Sequence, residues 1–177
     1  MTRRLQLLLC ASLLTGFTSR AADPALEYKV KAVCVLNAAR FIEWPRGVFK
    51  EPGAPFVIGV LGDNPFGPLL EAAVKDETIR HRPIVVRSVT LAEAAATACQ
   101  ILFISRSERE RLPGILQALN KASVLTMSEI EGFTRSGGML GLGLEGGKIH
   151  FQLNPGAARA AQLRIDSQFM MLCHATP

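Results

Sequence analysis

The chain has 177 residues, 49% of them hydrophobic and 20% charged, with 20 Lys+Arg against 15 Asp+Glu. This length suits one ordinary domain, and the apolar share excludes a disordered or low-complexity protein. The small basic excess is no nucleic-acid footprint, which requires a clustered basic face.

Arg3 and Arg4 precede the short apolar stretch Leu5 to Leu14, and Ser19-Arg20-Ala21 places small residues where a signal peptidase cuts. This predicts a signal peptide over residues 1–21 and a single soluble domain over 22–177 in the periplasm. The apolar stretch is too short for a bilayer, which needs roughly 20 residues. Cys10 lies too early for a lipoprotein site. The mature chain keeps Cys34, Cys99 and Cys173, an odd number in an oxidising compartment. At least one of the three therefore has no intrachain bridge.

Leu26 to Trp44 reads as the first helix, with Val30, Val33, Cys34, Asn37, Ala38, Phe41 and Ile42 on one face. Lys29, Lys31, Arg40 and Glu43 fall outside that face, and Pro45 stops the helix. Phe56 to Leu61 is a continuous apolar run, as expected of a strand buried on both sides. Asn64-Pro65 then opens a helix over Phe66 to Val74. Further strands are predicted at Ile84 to Arg87, Gln100 to Ile104 and Val124 to Met127, the first leading to a helix around Leu91 to Ala96. Ser107-Glu-Arg-Glu110 and Ser128-Glu-Ile-Glu131 match capping boxes, the first opening a helix that ends near Asn120. Four strands alternating with helices imply an α/β fold, with a mainly parallel sheet and helices on both faces.

The ending differs. Met139 to Leu144 and Lys148 to Leu153 flank Glu145-Gly146-Gly147, a C-terminal β-hairpin signal. Gly141 and Gly143 leave one strand face bare, which suggests a helix or partner backbone lying close. Leu163 to Cys173 reads as a terminal helix, kinked at Asp166-Ser167.

No catalytic centre is visible. The glycines of "GVLGDNPFG" fit neither dinucleotide-binding nor P-loop spacing and suit turn chemistry. The rival reading is a small-ligand crevice. Asp63, Asn64, Ser105, Arg106 and Ser128 all fall near carboxyl ends of strands, where open α/β sheets bind ligands. Ser105 and Ser107 lack a nucleophile elbow, and His81, His150 and His174 do not converge on them. The same histidines and the cysteines show no metal-ligand spacing, so no cofactor or metal is expected. Cys34 and Cys173 read as small buried hydrophobes. Trp44, the only tryptophan, is either core or, with Pro45 and Arg40, an anchor for a protein partner.

In order along the chain, "YKVKAVCVLNAARFIEWP", "FVIGVLGDNPFG", "CQILFISRSE", "VLTMSEIEGF", "GGMLGLGLEGGKIHFQLN" and "AARAAQLRIDSQFMMLC" resemble the YfiR family of periplasmic proteins. The resemblance implies a non-enzymatic regulator with a compact α/β domain that tends to dimerise. Its name-giving member binds the periplasmic part of an inner-membrane diguanylate cyclase and holds it inactive. An outer-membrane lipoprotein relieves that repression. The partner implied here is thus a membrane cyclase, or a sensor kinase with a periplasmic domain. The runner-up is a small-ligand module feeding a membrane sensor. Relatives often carry a first-strand cysteine that pairs with the one opening C-x-I-L-F-I-S. Gly59 stands at that position, so no disulfide is expected and Cys99 is unpaired. Asp166 replaces a serine typical of the final helix start and should still cap it.

Overall fold

A computed structural model describes residues 24–49, 51–120 and 122–175. The leader read from residues 1–21 lies outside the described residues. Helix α1 spans Pro24–Arg40, entered by a proline whose fixed φ suits a first helical residue. It ends at Arg40 rather than Trp44, because Ile42–Glu43 forms a short strand, β1. The elements that follow are β2 (Phe56–Leu61), α2 (Leu69–Val74), β3 (Thr78–Ile79), β4 (Arg82–Ser88), α3 (Leu91–Ala95) and β5 (Ile101–Ile104). A 3-10 helix (Arg106–Arg111) leads into α4 (Leu112–Ala118), then β6 (Leu125–Ser128), β7 (Leu140–Glu145) and β8 (Lys148–Leu153). The chain closes with α5 (Pro155–Ala160), β9 (Arg164–Ile165), α6 (Ser167–Leu172) and β10 (His174–Ala175).

The main sheet has the order β10-β8-β7-β6-β5-β2-β4-β3. Pairing is parallel from β4 through β2, β5 and β6 to β7, and antiparallel where β8 and β3 join. Side chains alternate across it. Phe56, Ile58 and Val60 of β2, with Ile101 and Phe103 of β5, face one core with α1, α2, α5 and α6. Leu61, Leu102 and Ile104 face the other, with α3 and α4. The fold is therefore the α/β class expected, with helices on both faces and a C-terminal hairpin and helix. The hairpin turns at Gly146 and Gly147, both at positive φ, the backbone a tight two-residue turn requires.

Local readings fared less evenly. The buried face of α1 is Lys31, Ala32, Val35, Leu36, Ala38 and Ala39, whereas Val30 and Val33 are 43% and 44% exposed and Asn37 points outward. Small residues let the helix approach the sheet closely, and Lys31 is buried with carboxylate partners. Asn64 caps a turn rather than α2: its Oδ1 accepts from Phe66 N at 3.0 Å, and the helix starts at Leu69. Ser105, not Ser107, caps the 3-10 helix. Ser128 to Glu131 opens no helix, since the Ser128 hydroxyl donates to Ile104 O at 2.7 Å and Glu129 turns inward. The predicted terminal helix is divided. Residues Arg164–Ile165 pair with β1, and Asp166 caps α6 through Oδ1 to Gln168 N at 2.7 Å.

Candidate functional site

Three segments far apart in sequence meet at one buried carboxylate, the third being Arg106 at the start of the 3-10 helix. Adjacent turns of α1 supply Glu27, Tyr28 and Lys31, and the chain leaving β6 supplies Glu129. Ser128 sets that exit, because its Oγ also accepts from Ile130 N at 3.0 Å. Glu129 accepts from the Tyr28 hydroxyl at 2.7 Å and from the Lys31 ammonium, and forms an ion pair with Arg106, whose Nε lies 3.2 Å away. Lys31 also bonds Glu27 and lies 4.8 Å from the Tyr28 ring centre. Two cations thus balance two carboxylates, which is the condition for burying such charge. Burial, reinforced by the hydrogen bond to Glu129, pushes the Tyr28 hydroxyl up to about 12.

This cluster forms one wall of a cleft of about 870 Å³, closed elsewhere by Arg135, His150, Gln152 and the β7–β8 hairpin. Its floor is the bare face of Gly141 and Gly143. Among the described residues no helix packs on those glycines, which leaves the partner backbone of the two expected neighbours. Gly141 is itself buried, and a β-carbon on it would meet Gln152 Cβ at 3.4 Å and Thr134 Cγ2 at 3.6 Å, so the open part of the floor lies at half-buried Gly143. Guanidinium, amide and carboxylate groups here can hold polar or charged groups. Among the described residues no group of three or more His, Cys, Asp or Glu is placed to hold a metal ion.

Of the crevice residues read from sequence, only Arg106 lines this cleft. Asp63 and Asn64 are exposed in the loop after β2, and Ser105 is buried as a cap. The strand order reverses at β2, with β4 on one side and β5 on the other, so a crevice would open there. The chain fills it. Ser107 Oγ accepts from Asp63 N at 3.0 Å, and a β-carbon on Gly62 would press on Glu108 Cγ at 2.9 Å.

Trp44 is only 8% exposed. Its indole Nε1 donates to Gln100 O at 3.2 Å, and its ring stands edge-on to Phe56 with centroids 5.1 Å apart. Pro45 is half-buried beside it, and Arg40 is exposed, paired with Glu77 at 2.6 Å. Cys34, Cys99 and Cys173 are all free thiols, Cys99 fully buried. Lys31 and Glu129 were missed as a pair. The one available signal was Glu27 to Lys31 at i,i+4, which a solvated helix face would show equally well.

Among the described residues no helix is long and apolar enough to cross a membrane. No curated protein matches the chain. A crystal structure of a "conserved domain protein" from Vibrio cholerae O1 biovar El Tor is similar in fold, with a TM-score of 0.56 at 10% identity. The match covers 82% of this chain and 60% of that one, so the chain spans less than two thirds of that protein's length. The family model described as DUF4154, YfiR/HmsC-like, matches residues 28–174. It runs from the tyrosine that bonds Glu129 to the last short strand, taking in both cores and the cleft, and the chain belongs to the YfiR/HmsC-like family.

Proposed function

We propose that this protein is a periplasmic regulator that binds the periplasmic part of an inner-membrane diguanylate cyclase, or of a sensor kinase, and lowers cyclic-di-GMP signalling. The observation that carries this reading is the family match across residues 28–174. Surface chemistry supports it. Leu26, Val30 and Val33 line the outer side of α1 at four- and three-residue spacing, 60%, 43% and 44% exposed, a stripe suited to a partner helix. The partner surface extends from this stripe to Arg40 and Pro45, with Trp44 fixing Pro45 from below. Repression then needs only tighter binding to the inactive state of the partner. A homodimer is the resting form, and an outer-membrane lipoprotein releases the partner by competition.

Capture from detergent-solubilised envelopes tests this. The mature protein, beginning at Ala22, should retain a membrane cyclase or kinase, and deleting its gene should raise cyclic-di-GMP. Unchanged cyclic-di-GMP together with no retained membrane protein rejects the reading.

The second reading, a small-ligand module for a membrane sensor, is favoured by the cleft beside Arg106. Asp63, Asn64 and Ser105 would act there only by shaping the neighbouring loops. Ligand-induced thermal shifts that vanish in Arg106→Ala would select it.

A further inference from the structure

The sheet is left unfinished on one side. β4 pairs with β2 from Phe56↔Ile84 to Val60↔Ser88, but on its other side β3 reaches only Arg82 and Pro83. Backbone groups alternate between the two edges of a strand. Val89 N donates to Val60 O at 3.0 Å, which turns Val85 and Arg87 toward β2 as well. The N–H and C=O groups of Ile84, Val86 and Ser88 therefore face the open edge, and no strand among the described residues covers them. Proteins usually blunt such an edge with proline or charge. Here Arg82 and Pro83 guard its start, and Arg87, the other charge on β4, is turned to Glu93 and Ala98 O.

Helix α2 runs beside this edge. Between them lies a groove of about 680 Å³, walled by Ala72, Val74, Pro83, Ile84 and Val86, with Glu71, Lys75, Asp76 and Glu77 on its rim. An open edge strand next to a helix is the arrangement in which an extended peptide adds a strand and drops alternate side chains into the trough. Arg40 answers Glu77. Glu71, Lys75 and Asp76 have no ion-pair partner among the described residues, so the rim keeps one net negative charge.

We propose that the open edge of β4 is a strand-addition site for an extended segment of a partner protein, apolar at alternate positions and basic at its ends. The apolar trough selects the alternation, and the rim carboxylates select the basic ends. A second copy fits less well. Antiparallel pairing of β4 with itself about a two-fold axis keeps both α2 helices on the same face, bringing Glu71 and Asp76 toward their own counterparts. Like charges then oppose across the seam. The identity of the partner rests on the regulatory reading above; the geometry of the edge does not.

The probe is an acetylated eight-residue peptide of alternating valine and threonine with lysine and arginine at its ends, titrated into 15N-labelled mature protein. It should shift the amide signals of Val86 and Ser88 and slow their hydrogen exchange. A central proline in the peptide should abolish this. Ser88→Pro removes one outward N–H without touching the β2 ladder and should weaken binding about tenfold. Glu71→Lys with Asp76→Lys should weaken the basic peptide and favour one ending in glutamates, a reading that holds even if Ser88→Pro fails to fold. No binding at millimolar peptide, shifts centred elsewhere, or equal binding of the proline peptide would overturn the proposal. So would self-association of the wild type that Ser88→Pro abolishes, which would assign the edge to a second copy. A cyclase periplasmic fragment captured equally by wild type and Ser88→Pro sinks the edge and spares the regulatory reading. Capture by neither sinks the regulatory reading, while the peptide still decides the edge.

Discussion

A β-carbon placed on Gly59 would lie 3.2 Å from the Cys99 Sγ. That is close to the separation between a β-carbon and the far sulfur of a disulfide. Cys99 lies just before β5, whose register sets Gly59 opposite Leu102, and glycine at position 59 withholds the partner that the family resemblance implies. Burial pushes the Cys99 thiol up to about 12.

Gly59→Cys should therefore close a bridge to Cys99 on oxidation. A closed loop of about 40 residues would contribute about 3–4 kcal/mol in the chain-entropy picture. The gain should fall short of that, because Val89 Cγ2 stands 2.8 Å from the new β-carbon and must give way. Non-reducing peptide mapping and melting with and without reductant would measure both. In the native wild type, iodoacetamide should reach half-buried Cys34 before Cys99. Equal labelling rates would contradict the burial of Cys99.

The charge cluster makes a second prediction. Lys31→Met leaves the Glu129 carboxylate buried with its exposed neighbour Arg106 as the remaining cation, and should cost about 3–5 kcal/mol. Glu129→Leu should cost less, because Lys31 keeps Glu27 as its carboxylate partner. Combining Lys31→Met with Glu129→Leu should recover much of the loss, since neither charge is then left alone. Urea midpoints of the four proteins give the coupling. Single-variant losses below about 1 kcal/mol would mean that these charges do not seat α1.

Trp44 is a core residue of the monomer by position. Trp44→Ala should cost about 3–5 kcal/mol. Trp44→Phe keeps most of the apolar volume and removes the indole donor from Gln100 O, which still accepts from Leu125 N at 2.9 Å, so it should cost about 0.5–1.5 kcal/mol. Emission from the lone tryptophan should be blue-shifted and resist quenching by iodide. Quencher-sensitive emission would contradict the packing against Phe56.

The turn between β3 and β4 carries Arg80 at φ 53° and His81 at φ 62°, two non-glycine residues in left-handed backbone. Such turns favour Asn-Gly, and His81→Gly should stabilise by about 0.5–1 kcal/mol after the entropy cost of glycine. The melting temperature should rise by about 1–4 °C. Arg80→Asn should help less, because Arg80 Nη2 donates to Ile42 O at 3.4 Å. An unchanged or lower melting temperature in His81→Gly would show the turn to be unstrained.

The strands at Phe56–Leu61, Ile101–Ile104 and Leu125–Ser128 were legible because a strand buried on both faces leaves a dense apolar run. The hairpin was legible through its paired glycines. α1 was legible as a helix but not in orientation. Its apolar residues nearly encircle it, so Leu26, Val30 and Val33 compete with Val35 and Leu36 for the core, and partners on β6 decide. The cluster around Glu129 could not be read locally, since Tyr28 and Arg106 reach it from distant segments. α5 was missed although Asn154-Pro155 announces it, with Asn154 Oδ1 accepting from Ala157 N at 3.0 Å. Short strands such as β1 and β9 carry no periodicity of their own and exist because they meet.

That meeting sets an order of events. Ile42 and Glu43 emerge early from the ribosome, yet they pair with Ile165 and Arg164, and Phe41 stacks on Phe169 with centroids 5.3 Å apart. The first helix consequently has no finished seat until almost the whole chain is present. A product truncated before Arg164 would hold a complete set of central strands and still leave Phe41 and Ile42 uncovered, so damage at one terminus would be felt as misfolding at the other.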